Sequence, residues 1–293
     1  MNIPVYIRRR FGLVATVIAC AVSAPVLASE SVHLDKFPTE KMQSMPALQD
    51  GARTFVNYCL NCHSASMMRF NRLQDIGLTD EQISGSLQFT EGRVGDLMKV
   101  AMRHEDGKAW FGAAPPDLSV EARARASESG SGADWIYTYL RSYYRDGSRE
   151  TGWNNAIFPN VGMPNPLWQW QGMRGAVEER VAPVTDEATG KVTGWTKTTI
   201  TYDREGNKSE KVEKVSGDGL HEGTHFTLGT PEGGTLSQAE FDDKVANLVA
   251  FMKFMSDPSA STRGRLGIWV LLFIALFVGC TWWLNREYWK DIK

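Results

Sequence analysis

The chain has 293 residues, a formal net charge of −2 and 42% hydrophobic residues. That apolar content excludes a disordered chain. With 32 Lys+Arg against 34 Asp+Glu there is no basic excess to hold nucleic acid, and the length allows one or two domains.

In chain order, residues 1–28 read as a secretory signal peptide: Arg8, Arg9 and Arg10, an apolar run over 11–21, then Val26-Leu27-Ala28 as a small-residue cleavage site. The run is too short to span a membrane, and cleavage is expected after Ala28. Val17-Ile18-Ala19-Cys20 is a competing bacterial lipoprotein-like signal that would leave Cys20 acylated. Residues 29–46 are a proline-punctuated lead-in. Residues 47–58 read as a helix with Leu48, Ala52, Phe55 and Val56 on one face, ending at Cys59. Residues 79–87 and 93–102 read as two more helices, the first opened by a Thr79/Gln82 capping box. Pro115 and Pro116 make 112–118 a loop. Residues 133–145 form an aromatic-rich helix, and 152–166 hold too many Gly, Pro and Asn residues to be regular.

Residues 177–216 change character. They are charged, Thr-rich and alternating, which predicts a solvent-facing β-hairpin inserted in a helical domain and burying little. Residues 236–255 read as the last soluble helix, with Phe241, Val245, Leu248, Val249, Met252 and Met255 as its apolar stripe. Asp257-Pro258 ends it. The uncharged run 266–284 then gives a helix about 28 Å long, close to the thickness of a bilayer core. Trp282, Trp283 and Tyr288 suit the interface, followed by Arg286, Lys290 and Lys293. Arg263 and Arg265 flank the other end, so charge alone does not orient the helix; the signal peptide does. The expected organisation is therefore a periplasmic domain over 29–262, a transmembrane helix over 263–285 and a cytoplasmic tail over 286–293. There is no internal repeat.

Chemistry concentrates in Cys59-Leu60-Asn61-Cys62-His63. C-x-x-C-H is the attachment pattern of haem c, with two thiols one turn apart for the porphyrin edge and an imidazole for the iron. A redox C-x-x-C should open a helix after a strand, whereas this motif closes a helix. A zinc site needs more ligands, and of the remaining cysteines Cys20 leaves with the signal peptide and Cys280 lies in the membrane run. A Met or His as sixth ligand would close the iron and leave electron transfer; an open position would favour a haem enzyme such as a peroxidase. Met163, in a Pro-bracketed loop, is the best candidate. Met98, Met102, Met252 and Met255 sit at helical spacing and fit a core, and His104, His221 and His225 stay open as rivals.

Several segments together resemble cytochrome c1, the haem c subunit of the cytochrome bc1 complex. They are 59–64 (CLNCHS), 114–119 (APPDLS), 155–167 (NAIFPNVGMPNPL), Gly229-Thr230-Pro231, 247–252 (NLVAFM), Asp257-Pro258 and the terminal apolar run. The resemblance implies a mostly α, class I cytochrome c-like haem domain, here with a β-hairpin insertion and one C-terminal transmembrane helix. It implies one covalent haem c, Met163 as axial ligand beside His63, Pro115 and Pro116 lining the haem, and Arg125 paired with a haem propionate, with Arg123 as the near alternative. It also implies partners: cytochrome b, the Rieske iron–sulfur protein and an acceptor cytochrome c, in a dimeric complex of a bacterial inner membrane. A free-standing membrane-anchored cytochrome c is the competing reading. Two departures are the long 177–216 segment and Asp257, where the family usually shows Glu.

Overall fold

The computed structural model describes residues 33–89, 92–186, 191–216 and 220–291. The signal peptide expected over 1–28, with Cys20, lies outside them. Contacts divide the chain into Met1–Ser31 and Val32–Lys293, and every described residue belongs to the second unit.

A 3-10 turn at Thr39–Gln43 leads into α1 (Met45–Thr54), which continues through one π turn, Phe55–Cys59. Then come β1 (Ala65–Arg69), a 3-10 stretch at Phe70–Ile76 and α2 (Asp80–Ser86), which opens with the expected Thr79/Gln82 capping box. β2 (Leu97–Met98) pairs antiparallel with β1. After α3 (His104–Phe111), α4 (Glu121–Ala124) and α5 (Gly132–Arg141), β3 (Tyr143–Arg145) pairs antiparallel with β4 (Trp153–Asn155). Next are α6 (Trp168–Gln171) and β5 (Gly172–Met173). β6 (Ala176–Thr185), β7 (Val192–Tyr202), β8 (Lys208–Val215) and β9 (Gly223–Leu228) form one antiparallel sheet of order β8-β7-β6-β9. β10 (Glu232–Gly233) returns to β5, and α7 (Gln238–Ser256) and α8 (Ala260–Tyr288) complete the chain.

The core is built where α1 crosses α7. Gly51 permits the approach: a Cβ there would lie 2.0 Å from the Asn247 carbonyl oxygen. Phe55 and Phe251 meet at 5.5 Å, and Leu73, Ile76, Ile83, Val245, Leu248 and Val249 are fully buried around them. α7 is buried on almost every face from Val245 to Met255, a wider contact than its sequence stripe suggests. It runs through the centre of the domain, with α1, α4 and α5 packed on it.

Three expectations change. Residues 93–102 are not a helix: β2 pairs with β1 there and sends Met98 into the core, and the helix lies farther on at His104–Phe111. The aromatic helix stops at Arg141, because Tyr143–Arg145 is taken up by pairing with β4. The 177–216 hairpin is part of a four-stranded sheet that reaches Leu228. Nor is it uniformly solvated. Its root buries Ala176, Ile200 and Tyr202 against Tyr144, whose ring is 5.0 Å from that of Tyr202. The far ends of β6 and β7 stay exposed, and the edge strand β8 is exposed from Lys208 to Lys214, as the polar alternation implies.

Asp134 ties the lead-in to α5. It accepts from the Phe37 amide at 2.8 Å and the Ser131 amide at 3.0 Å, and pairs with Lys36 at 3.2 Å. Burial opposes its ionisation, but these donors outweigh burial and hold its carboxyl below the usual value. A carboxylate with a depressed folded pKa stabilises the fold above its unfolded pKa, and that contribution disappears as pH falls through the folded value. The melting temperature should therefore hold near neutrality and fall below about pH 4. Asp134→Asn should cost about 1–3 kcal/mol at pH 7, because the amide keeps one acceptor oxygen for two backbone N–H groups and sets a donor against the other, and should blunt the acid loss. A thermal melt of both proteins against pH checks this; an unchanged acid limb would remove Asp134 from the account.

α8 contains one span, Thr262–Tyr288, long and apolar enough to cross a membrane, with a mean hydropathy of 2.1 and 0% of it buried. It encloses the expected run 266–284.

Candidate haem site

The cysteine motif is positioned by the end of α1. Phe55 and Val56 are locked in the core, and the π turn, closed by the Leu60 amide on the Phe55 carbonyl at 3.0 Å, delivers Cys59 to the surface of that core. The Cys59 carbonyl then accepts from the Cys62 amide at 3.1 Å and the His63 amide at 2.9 Å. The motif is thus one helical turn, with its two sulfurs on neighbouring positions. Burial, reinforced by Cys62, pushes the Cys59 thiol up to about 12, and burial raises Cys62 as well. Both remain thiols at neutral pH. Reactive redox C-x-x-C motifs do the opposite and hold a thiolate.

His63 is the only buried histidine among the described residues; His33, His104, His221 and His225 are exposed. Its Nδ1 lies 2.7 Å from the Pro116 carbonyl oxygen. A carbonyl only accepts, so Nδ1 carries the proton and Nε2 keeps its lone pair. No other hydrogen bond among the described residues reaches the ring. Burial lowers the imidazole's pKa, while the Pro116 carbonyl, Glu121 and Asp117 pull the other way. A neutral imidazole with Nδ1 anchored and Nε2 available is the form that binds a metal. Two neutral thiols one turn apart, just before it in the chain, complete a donor set that fits haem c.

The proline loop is fastened to the motif. Leu118 donates to the Ser64 carbonyl at 2.8 Å, and Asp117 accepts from the amides of Ser66 at 2.8 Å and Ser119 at 2.9 Å. Pro116 contributes its carbonyl. Pro115 borders a cleft beside Cys62, together with Ser64, Lys99, Met102 and His104.

Met163 sits in a loop held mainly by asparagines. Asn154 accepts from the Asn160 amide at 2.8 Å, and Asn155 accepts from Ile157 at 3.1 Å and Phe158 at 3.2 Å. Asn165 accepts from Leu167 at 3.0 Å and donates to Gln171 at 2.6 Å. Asn160 is left-handed, with φ 63°, a conformation asparagine tolerates, and Arg149 donates to its side chain at 3.1 Å and its carbonyl at 3.0 Å. Gly162 touches the end of α3, where a Cβ would come within 2.4 Å of the Phe111 carbonyl oxygen. The thioether of Met163 receives the Tyr139 hydroxyl at 3.6 Å, within reach for a sulfur acceptor.

Arg125 joins the same cluster. It pairs with Glu121 through two contacts of 3.3 Å, and its guanidinium lies 4.6 Å over the Trp135 ring. Trp135 stacks on Tyr139 at 4.8 Å and 12°. A run of contacts thus leads from Glu121, whose charge reaches His63, through Arg125, Trp135 and Tyr139 to Met163. Arg123 is absent from it and lies 3.7 Å from Asp257, which also holds Arg263 at the start of α8. Of the other methionines, Met98, Met252 and Met255 are core residues, and Met102 borders the cleft.

Sequence reasoning missed Glu121, Trp135, Tyr139, Tyr143, Asn154, Asn155 and Gly162. Two signals were available: Tyr139 and Tyr143 share a helical face at i, i+4, and the asparagines flank the methionine segment.

The model of the Cytochrome C1 family matches residues 37–174. A Nitrosomonas europaea protein named ammonia monooxygenase gamma subunit is 39% identical over 272 residues, 92% of this chain and 94% of that protein. Cytochrome c1 of Allochromatium vinosum is 34% identical over 281 residues, 96% of this chain and 98% of that protein. The mitochondrial cytochrome c1 haem protein of Neurospora crassa is 26% identical, over 92% of this chain and 71% of that protein.

Proposed function

Because this chain belongs to the cytochrome c1 family, bc1-type electron-transfer cytochromes with one covalent haem c, we propose that it relays single electrons from a Rieske iron–sulfur protein to a cytochrome c. When bound, the haem supplies reversible one-electron exchange at its iron. The chain's own residues hold and tune it. Cys59 and Cys62 would carry the thioether links, and His63 Nε2 and Met163 Sδ would hold the iron, in a class I cytochrome c-like domain. Arg125 would neutralise a propionate, since a buried carboxylate without a partner is costly. Pro116 orients His63, and Pro115 and Pro116 would wall the group from water. No proton donor or nucleophile is required, because no bond is made or broken in this chain.

The observation that carries this reading is the state of His63: buried, neutral, fixed through Nδ1 by Pro116, and directly following two thiols that stand one turn apart. Residues 1–28 would export the domain over 29–262 to the periplasm. Residues 263–285 would anchor it in the inner membrane beside cytochrome b, with 286–293 in the cytoplasm, in a dimeric complex. The name of the Nitrosomonas relative favours a second reading, association with an ammonia monooxygenase. Purification of the tagged chain from its native membrane in mild detergent separates the two. Haem b and haem c bands together, with the haem c reduced by quinol, support the relay. A monooxygenase in the purified material without haem b supports the alternative. A haem c band alone, inert to quinol, means a free-standing carrier.

A further inference from the structure

Three contacts around Met163 compete for two protons. The Tyr139 and Tyr143 hydroxyl oxygens are 2.7 Å apart; Tyr139 also lies 3.6 Å from Met163 Sδ, and Tyr143 lies 3.3 Å from the Met163 carbonyl oxygen. Each phenol owns one proton. Two hydroxyl oxygens at 2.7 Å share a hydrogen bond, so one proton is committed between them and one remains. If Tyr143 donates to Tyr139, the remaining proton goes to the thioether. If Tyr139 donates to Tyr143, it goes to the Met163 carbonyl. The two arrangements interconvert by turning two hydroxyls, with no change of charge. The rings themselves are held: Tyr143 is fully buried, and Tyr139 is stacked on Trp135 with Phe158 edge-on at 6.3 Å.

We infer that Tyr139 and Tyr143 are positioning residues that set how strongly Met163 donates to the iron, with Tyr143 competing for the proton that Tyr139 otherwise places on the sulfur. The inference rests on the reading of Met163 as axial ligand. A donor on the thioether withdraws electron density from it. That weakens its bond to the oxidised iron more than to the reduced, and so favours the reduced protein. Tyr143 limits that effect by drawing the Tyr139 proton away.

The test uses the full-length, haem-loaded protein in its detergent-purified complex, with Tyr139→Phe, Tyr143→Phe and the double variant. The readouts are the redox midpoint, the optical Met–iron band, and displacement of Met163 by added imidazole in the oxidised protein. Tyr139→Phe should lower the midpoint and reduce imidazole affinity. Tyr143→Phe should raise both, since Tyr139 then has only sulfur to bond. The double variant should follow Tyr139→Phe. Each single shift is expected at about threefold to tenfold in the oxidised-to-reduced equilibrium, tenfold being about 59 mV for one electron. Packing damage alone would instead raise imidazole affinity in both single variants. Midpoints that move in the same direction, or do not move while the Met–iron band persists, overturn the inference and leave the ligand assignment standing. Absence of that band from the unsubstituted protein overturns the ligand assignment and the inference together.

Discussion

Met163→Ala should leave the haem covalently attached, abolish the Met–iron band and lower the redox midpoint by on the order of 0.1–0.3 V, within the ~0.8 V that axial ligands span. The direction follows from chemistry. A thioether is a soft, weak donor that favours reduced iron, and water or a stray ligand in its place favours the oxidised state. The loop should survive the change, because Asn154, Asn155 and Asn165 hold its backbone independently of the Met163 side chain. Redox titration and the optical spectrum of the purified protein measure both effects. If band and midpoint are unchanged, the assignment moves to Met102, the other methionine beside the Cys62 cleft.

The second large effect is expected from the thiols. Cys59→Ser with Cys62→Ser should yield a protein that loses its haem on denaturation, because a serine hydroxyl does not add to a vinyl group as a thiol does. Each single variant should retain one link. Stability should drop as well. A group that binds only the folded state stabilises it by about 4 kcal/mol when present at ~1,000 times its dissociation constant, and a covalent tether acts as a still higher local concentration. Haem staining after denaturing electrophoresis, with a melting curve of the same preparation, reads both. Haem that stays on the double variant through denaturation would mean attachment elsewhere and would remove the motif from the site.

Some of this was visible in the residues alone, and the reason is range. Two thiols and an imidazole within five positions form their geometry in one helical turn, so Cys59, Cys62 and His63 can be read without a fold. The capping box at Thr79 and the apolar run that becomes α8 are equally local. Residues 93–102 misled for the converse reason. Val94, Leu97, Met98 and Ala101 have helical spacing, but Met98 is drawn into the core through pairing with β1, some thirty residues earlier. The sheet reads as a hairpin in the sequence because only β7 and β8 are joined by a short local turn; β6 and β9 become strands by pairing with each other, more than forty residues apart.

The sequence by itself determined the covalent motif, the family resemblance, the central helices and the membrane anchor, since each rests on neighbouring residues or on composition. Tertiary structure alone decided that the Pro116 carbonyl fixes the His63 proton on Nδ1, and that Arg125 joins the Met163 cluster while Arg123 meets Asp257. It also decided that buried asparagines, more than prolines, hold the loop, and that two tyrosine hydroxyls lie within reach of Met163. These are choices among chemically similar groups, made by partners elsewhere in the chain. The packing of α4 and α5 on α7 decides which of them comes within reach, because a hydrogen bond or ring contact vanishes over an ångström or two while sequence separation carries no such distance.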